Sequence, residues 1–506
     1  MSSHRIAFRT DANSEIGTGH FMRCLTLAQE LKKNGAEICF VSRGMPPYLA
    51  QMLKESSMDL HELPDSDAED SDELPHSQWL KGSQHQDAIQ TIEALGAANL
   101  NWLVVDHYAI DQRWETPLRK LANKIMVIDD LADRQHDCDL LLDQNFYQEM
   151  DTRYVGKVPS YCNLLLGPSY ALLRDEFRKQ RQQVRPKAGG IKNLLVFFGG
   201  IDVQNFTILA LEAIVASNLQ LDVDVVVGQQ HPHLLDIEKL CKTYRFACHV
   251  QTHQMASLMA KADLAIGAGG TAIWERCCMG LPSICISMAK NQEQQVSDLM
   301  DKGLVIELQK NQDVSELFKH TLAILKDDES RLRAMSKSVY DLVDGNGVDK
   351  VASFLLPKDI EIRLANASDS KNIFSWRNHP TIRNNSRSSD EIEWTEHEKW
   401  FFNRCEKPNH SILIGYIQGQ PIGVVRFDIQ ETFADVSIYR VPDSDHHGTG
   451  YKLLCDAEAW LKINHPQVVA VHALVLRENE PSKKLFEKSH YVKHADSAQI
   501  EFVKQL

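Results

Sequence analysis

Residues 5–35 read RIAFRTDANSEIGTGHFMRCLTLAQELKKNG: an apolar run, a polar turn carrying Gly17 and Gly19, then apolar residues at helical spacing. The succession predicts a strand, a tight turn and a helix whose first turn lies at the strand's carboxyl end. Backbone N–H groups converge at such a place and the helix dipole adds partial positive charge, so the turn is a cradle for an anion such as phosphate. Glycines at 17 and 19 let the backbone approach a ligand closely, and His20 stands at the helix opening, where a neutral imidazole is able to act as a base. A turn of this kind also serves simply to pack a strand tightly on its helix, so by itself it does not decide function.

Residues 264–283, LAIGAGGTAIWERCCMGLPS, repeat the logic. Gly269, Gly270 and Thr271 form a second cradle between strand and helix, and Glu275 follows one turn later, placed to accept from ribose hydroxyls or to be an ordinary surface glutamate. Gly199, Gly200 and Asp202 close the strand 194–198, and Asn291 and Gln292 follow the strand-like ICISMAK with amide donors and acceptors. Further apolar runs at 38–42, 102–105, 125–128 and 223–227 alternate with helical stretches, the signature of parallel sheets covered by helices. The polar, breaker-rich segment 185–190 (RPKAGG) reads as a linker, dividing the region into Rossmann-type halves at 1–184 and 191–345. Ligands of open α/β sheets bind outside the carboxyl ends of the strands, so the expected active site lies between the halves. A helical pattern over 314–343 is expected to end at Gly345–Gly347.

From Ser411 the chain reads SILIGYIQGQPIGVVRFDIQETFADVSIYRV, three strand-like runs separated by tight polar turns. This antiparallel meander marks a third, α+β domain at 360–506.

Composition narrows the function classes. Across 506 residues the formal net charge is −14, which leaves no basic surplus for a phosphate backbone, so nucleic acid is not an expected partner. Eleven cysteines without a CxxC pair or framework spacing read as reduced thiols and point to the cytoplasm. No basic–apolar–small leader opens the sequence and no run approaches the roughly 20 apolar residues of a membrane span, so no membrane association is expected. The acidic run 65–73 reads as a solvated loop, and His107, His231 and His233, outside any metal-ligand spacing, as surface or satisfied histidines.

Several motifs occur in one order: Arg9-x-Asp11-Ala12, Ile16-Gly17-x-Gly19-His20-x-x-Arg23, Trp79-Leu80 with Asp87-Ala88, Val104-Val105-Asp106-His107-Tyr108, Phe198-Gly199-Gly200-x-Asp202 and Gly269-Gly270-Thr271-x-x-Trp274-Glu275. Over roughly residues 5–345 the chain resembles the UDP-sugar hydrolases of the pseudaminic acid pathway. The resemblance implies a GT-B fold like that of the lipid-linked muramyl-peptide N-acetylglucosaminyltransferase. It also implies metal-independent, inverting hydrolysis of UDP-2,4-diacetamido-2,4,6-trideoxy-β-L-altropyranose, with the UDP-sugar and other enzymes of that pathway as partners. UDP is a good leaving group that needs its charge stabilised more than it needs an acid, and one base for water suffices. His20 is the expected base or water-orienting group, and Asp106 and Tyr108, at the end of strand LVVD, are expected sugar contacts unless they cap the next helix. Asn291 is expected to position water or sugar. Asp11, Gly17, Gly19, Gly199, Gly200, Gly269, Gly270, Thr271, Glu275 and Gln292 are expected to bind substrate. The alternatives are a GT-B glycosyltransferase with an acceptor other than water, and a nucleotide-sugar-binding regulator.

From Ile362 the chain resembles the GCN5-related N-acetyltransferases (GNAT), on IRLANASDSKNIFSWRNHPTIR, the meander, and strand ALVLR followed by Asn479-x-x-Ser482-x-x-Leu485-Phe486. That superfamily binds acetyl-coenzyme A at a Gly-rich helix start, which maps here to His447, Gly448 and Gly450, with Asn479 and Ser482 as further cofactor contacts. His447 and Lys452 depart from the pattern at its two ends, and Phe486 stands where many members carry a tyrosine that returns a proton to the departing thiolate; phenylalanine has no proton to give. The expected activity is N-acetylation of the UDP-4-amino-sugar precursor, the step before UDP removal, and the alternative is a domain kept for packing or regulation.

Overall fold

The computed structural model describes residues 4–13, 15–65, 74–310, 313–356, 360–386, 388–417, 419–442, 444, 449–496 and 499–506. The chain divides into two units, Met1–Ala352 and Ser353–Leu506.

Seven strands make the first sheet of unit one: β1 (Arg5–Thr10), β2 (Glu37–Arg43), β3 (Asp59–Leu63), β4 (Leu100–Asp106), β5 (Ala122–Ile128), β6 (Leu140–Asp143) and β7 (Asn163–Leu166), in the order β3-β2-β1-β4-β5-β6-β7. All its pairings are parallel. The second sheet, also wholly parallel, comprises β8 (Asn193–Phe197), β9 (Asp222–Val227), β10 (Ala247–Val250), β11 (Leu264–Ala268), β12 (Ser283–Ile286) and β13 (Ile306–Glu307), ordered β10-β9-β8-β11-β12-β13. The central strands are near-continuous apolar runs because helices bury both faces. In the first half Phe8 stacks on Phe40 at 5.0 Å, the kind of pair that adds about 0.5–1.5 kcal/mol to area burial. Chain order reverses between β1 and β4 and between β8 and β11, so each half has its ligand-binding crevice beside the turn that the sequence singled out.

The helical stretch 314–343 is broken. Helices Val314–Lys326 and Glu329–Leu342 are separated at Asp328, whose carboxylate caps the second by accepting from the Arg331 N–H. Gly345 does end the run, at φ +81°, but Gly347 begins another helix, Gly347–Leu355. A side chain on Gly347 would sit 2.3 Å from the Ala171 carbonyl oxygen, so this segment presses back onto the first half and needs glycine to do it.

In unit two β14 (Glu361–Leu364), β15 (His410–Ile417), β16 (Gln420–Gln430), β17 (Phe433–Arg440), β18 (Ala470–Leu476), β19 (Val492–Asp496) and β20 (Gln499–Gln505) form one sheet, ordered β14-β15-β16-β17-β18-β20-β19. Alternation along β15 decides which helix covers which face. Ile412 and Ile414 pack with Ile373 and Phe401 of helices Ser370–Asn378 and Trp394–Cys405. Leu413 packs with Leu453, Leu454 and Phe486 of helices Gly450–Asn464 and Glu480–Lys488. Only β17 and β18 run parallel, and their register stops at Val436–Ala473 although both strands continue. Beyond that point the pairing between them ends. The architecture is the expected one, a GT-B-like pair of Rossmann-type sheets followed by a GNAT-like α+β unit.

Candidate active site

The strand ends of the first half carry a dense ionic network. Arg9, at the end of β1, donates from Nε and NH2 to the two oxygens of Asp87 (3.1 and 2.8 Å) and from NH1 to Asp11. Asp87 also accepts from Arg43 at the end of β2 and from the Trp114 indole. Asp11 is 1% exposed, and its Oδ1 additionally accepts from the Ser42 hydroxyl and the Arg43 N–H. Burial disfavours its charge, but Arg9 and His107 outweigh burial and hold the carboxyl well below the usual range. Asp11 Oδ1 is thus engaged inside the protein, where it ties together the ends of β1 and β2. His107 accepts the Ala109 N–H on Nδ1 and has Nε2 3.2 Å from Asp11 Oδ2, so this histidine is buried rather than on the surface.

His20, Asp106 and Tyr108 are brought together. Helix Gly19–Lys33 starts beside the end of β4, and His20 Nδ1 lies 2.6 Å from Asp106 Oδ1. Asp106 does not cap a helix; that role falls to Asp111, which accepts from the Arg113 N–H. Arg23, three residues after His20 and on the same helical face, donates from Nε and NH2 to both Asp106 oxygens at 2.6 and 2.7 Å. Burial would raise the Asp106 pKa, yet Arg23 first and His20 second overcome it and keep the carboxyl well below the usual range. An ionised Asp106 accepts from Nδ1–H, so the neutral imidazole has a bare Nε2. The ring is 9% exposed and sits in an aromatic corner, edge-on to Tyr108 at 4.5 Å and to Trp79 at 6.1 Å, with Trp79 stacked on Tyr108 at 5.6 Å.

Tyr108 in turn donates from its hydroxyl to Asp130 Oδ1 at 2.5 Å, and burial together with that carboxylate raises its pKa well above the ordinary value. Asn291, at the start of helix Lys290–Asp301 in the second half, donates from Nδ2 to the Tyr108 hydroxyl at 3.4 Å. Two candidate residues 183 positions apart thus meet across the two halves.

The second cradle is built partly for packing. A side chain on Gly269 would lie 2.3 Å from Val296 Cγ2, so this glycine is required by the helix beneath it. Gly17 (φ +76°) and Gly199 (φ +101°) take backbone conformations that favour glycine, and at these two and at Gly19 and Gly200 no described atom lies within 4 Å of where a side chain would start. Thr271 is the exposed N-cap of helix Ala272–Cys278, and Gln292 turns back to accept from the Met288 N–H at 2.9 Å. Glu275 does not stand near His20's cluster by any bond; it pairs with Arg174 at 3.2 Å, and burial raises its pKa against the pull of Arg174. Asp202 accepts from the Thr207 N–H and hydroxyl and so opens helix Phe206–Ala216. Among the described residues no three His, Cys, Asp or Glu side chains are grouped as a metal ion requires. No helix among them is long and apolar enough to cross a membrane.

Sequence reading gave no role to Arg23, Trp79, Asp130, Asn145 or Trp274. The i, i+3 spacing of His20 and Arg23 was a usable signal; the others are joined only by tertiary structure.

In unit two, His447 and Gly448 lie outside the described residues. Gly450 begins its helix with, among the described residues, only Leu485 near the place of a side chain, and Asn479 caps helix Glu480–Lys488 by accepting from the Ser482 N–H at 3.1 Å. Lys452 reaches along its own helix to Asp456 at 3.0 Å, away from crowding the helix start. Phe486 is buried, edge-on to Tyr491 at 5.0 Å and stacked with Phe502 at 6.0 Å.

Comparison with known proteins supports both units. Residues 194–351 match the glycosyltransferase family 28 C-terminal domain. The UDP-2,4-diacetamido-2,4,6-trideoxy-beta-L-altropyranose hydrolase of Campylobacter jejuni is 24% identical over 305 residues, covering 60% of this chain and 98% of the relative. The acetyltransferase PseH of the same organism is 25% identical over 139 residues, 27% of this chain and 86% of the relative. The crystal structure of Acinetobacter baumannii MurG superposes with a TM-score of 0.50 at 13% identity over 70% of this chain and 99% of that one, a likeness of fold. The chain therefore joins a unit similar to that hydrolase to one similar to an acetyltransferase.

Proposed function

We propose that unit one hydrolyses UDP-2,4-diacetamido-2,4,6-trideoxy-β-L-altropyranose, or a close diacetamido stereoisomer, to free sugar and UDP in the cytoplasm, on the way to pseudaminic acid. The observation that carries the reading is His20, its Nδ1 held by an ionised Asp106 and its ring set in an aromatic corner opposite Asn291. Water attacks the anomeric carbon and gives its proton to His20 Nε2; the bond to the UDP oxygen breaks, UDP leaves with the electron pair, and the anomeric centre inverts. Asp106 stabilises the imidazolium that forms. The Gly17 and Gly269 N–H groups donate to the Asn13 and Ile286 carbonyls, so the growing charge on UDP falls to the backbone N–H groups that open helices Gly19–Lys33 and Ala272–Cys278. No metal is assigned a part.

The match to a glycosyltransferase family favours a second reading, transfer of the sugar to an acceptor other than water. Incubation with the UDP-sugar and no acceptor separates them. Stoichiometric free sugar and UDP at a catalytic rate support hydrolysis, and slow release that an acceptor accelerates supports transfer.

Glu275 and its turn are assigned to UDP. Glu275→Ala is expected to weaken UDP binding roughly ten- to a hundred-fold, the worth of charge-assisted bonds to ribose hydroxyls. Titration calorimetry with UDP checks this, and unchanged affinity places the nucleotide elsewhere.

For unit two the reading is N-acetylation of the UDP-4-amino-sugar precursor from acetyl-coenzyme A. The ends of β17 and β18 beyond their paired register leave strand backbone able to bond an extended ligand, and the helix start at Gly450 suits a pyrophosphate, so the residues present fit the cofactor. The group would supply an activated acetyl thioester; Asn479, through its cap on the next helix, would shape one wall of its site. Phe486 has no proton to give and faces the core. The full chain is therefore expected to bind acetyl-coenzyme A but transfer acetyl about 10²-fold or more below a member with a proton donor. Calorimetry followed by product mass spectrometry tests this: no binding makes the unit a structural or regulatory appendage, and rapid transfer assigns the proton to another group.

A further inference from the structure

A chain of buried hydrogen bonds crosses from the second half of unit one to His20. The indole Nε1 of Trp274, adjacent to Glu275 in helix Ala272–Cys278, donates to Asn145 Oδ1 at 3.1 Å. Asn145, two residues past the end of β6, donates from Nδ2 to Asp130 Oδ2 at 3.2 Å. That same oxygen accepts from Arg23 NH1 at 3.3 Å, while Asp130 Oδ1 takes the Tyr108 hydroxyl. Arg23 grips both oxygens of Asp106, which holds His20. Trp274 is 0%, Asn145 8% and Asp130 8% exposed, so water offers no ready substitute for a missing partner.

Arg23 is shared between two carboxylates, and the division depends on what else Asp130 receives. Without the Asn145 donor, Asp130 draws Arg23 toward itself and away from Asp106, and the carboxylate that orients the imidazole loses its anchor. We infer that Asn145 and Trp274 are positioning residues for hydrolysis, coupling the seating of the nucleotide-binding helix to the orientation of His20. The inference rests on the hydrolase reading given above, and it adds that the two halves must dock before the base is aligned.

Trp274→Phe keeps the ring and deletes only the N–H, so it is the informative variant where Asn145→Leu fails to fold. The full chain is assayed for UDP release, with KM and UDP inhibition measured alongside. Trp274→Phe is expected to lower kcat about tenfold, a loss of the size one buried hydrogen bond carries, with KM and UDP inhibition within about twofold. The effect should vanish in a His20→Ala background, because the relay then has nothing to orient. A loss confined to KM, or an equal loss with and without His20, overturns the inference while leaving hydrolysis intact. No UDP release by the unaltered protein sinks the hydrolase reading itself, and this inference with it.

Discussion

His20→Ala is expected to lower the rate of UDP release by about 10²- to 10⁴-fold with KM changed little, the usual worth of a general base that acts only in the transition state. The argument is geometric before it is chemical. Asp106, gripped by Arg23, holds the imidazole by Nδ1, and Tyr108 and Trp79 pack against the ring in T-shaped contacts. Alanine removes the proton acceptor and leaves every phosphate-facing glycine in place. Binding should therefore survive, which UDP inhibition of the variant would show directly. His20→Asn, which fills more of the space, controls for repacking of the aromatic corner and should be equally slow. If either variant turns over at near-normal rate, His20 is not the base.

The parallel sheets were legible because their central strands are buried on both faces and read as near-continuous apolar runs, as in WLVV of β4 or LLVF of β8. Strands β3, β6, β7, β10 and β13 escaped notice: each has five residues or fewer, all but β6 lie at a sheet edge, and so short a strand is defined by its neighbours more than by its own composition. Gly347 was read as a stop because glycine ends helices more often than it opens them; contact with the Ala171 carbonyl, remote in sequence, is what requires it there. In the site, His20 was visible from its turn and Asp106 and Tyr108 from their strand end. What those residues bond to was not. Asp11 was expected at the ligand on the strength of the resemblance alone; its contacts with Arg9 and His107 were not visible, and the pairing of Arg9 with Asp87 spans 78 residues that no local pattern links. Asn145 and Trp274 are 129 positions apart, each unremarkable alone, and only the docking of the two halves makes them partners.

Asp106→Asn should separate orientation from charge. The amide keeps the size of the carboxyl but is neutral, and it no longer specifies that Nδ1 carries the proton, so the wrong tautomer becomes available and kcat should fall by about 10²- to 10⁴-fold. Stability should fall too, because Arg23 is buried and loses its nearer counter-charge. Breaking a buried ion pair costs about 3–5 kcal/mol, and the remaining contact of Arg23 with Asp130 at 3.3 Å puts the expected loss near the lower end. Its pH dependence carries the diagnosis. Arg23 and His20 hold the Asp106 carboxyl below its unfolded value against the opposing effect of burial, so the carboxylate's stabilisation is fully present above the ordinary carboxylate pKa of about 4 and is lost as pH falls through the folded value. The gap in urea midpoint between the unaltered protein and Asp106→Asn should therefore be wide at pH 7 and narrower at pH 3. An equal gap at both would mean that the amide disturbs packing rather than charge, and Asp106 would then be a scaffold for His20 and not the electrostatic partner of its imidazolium.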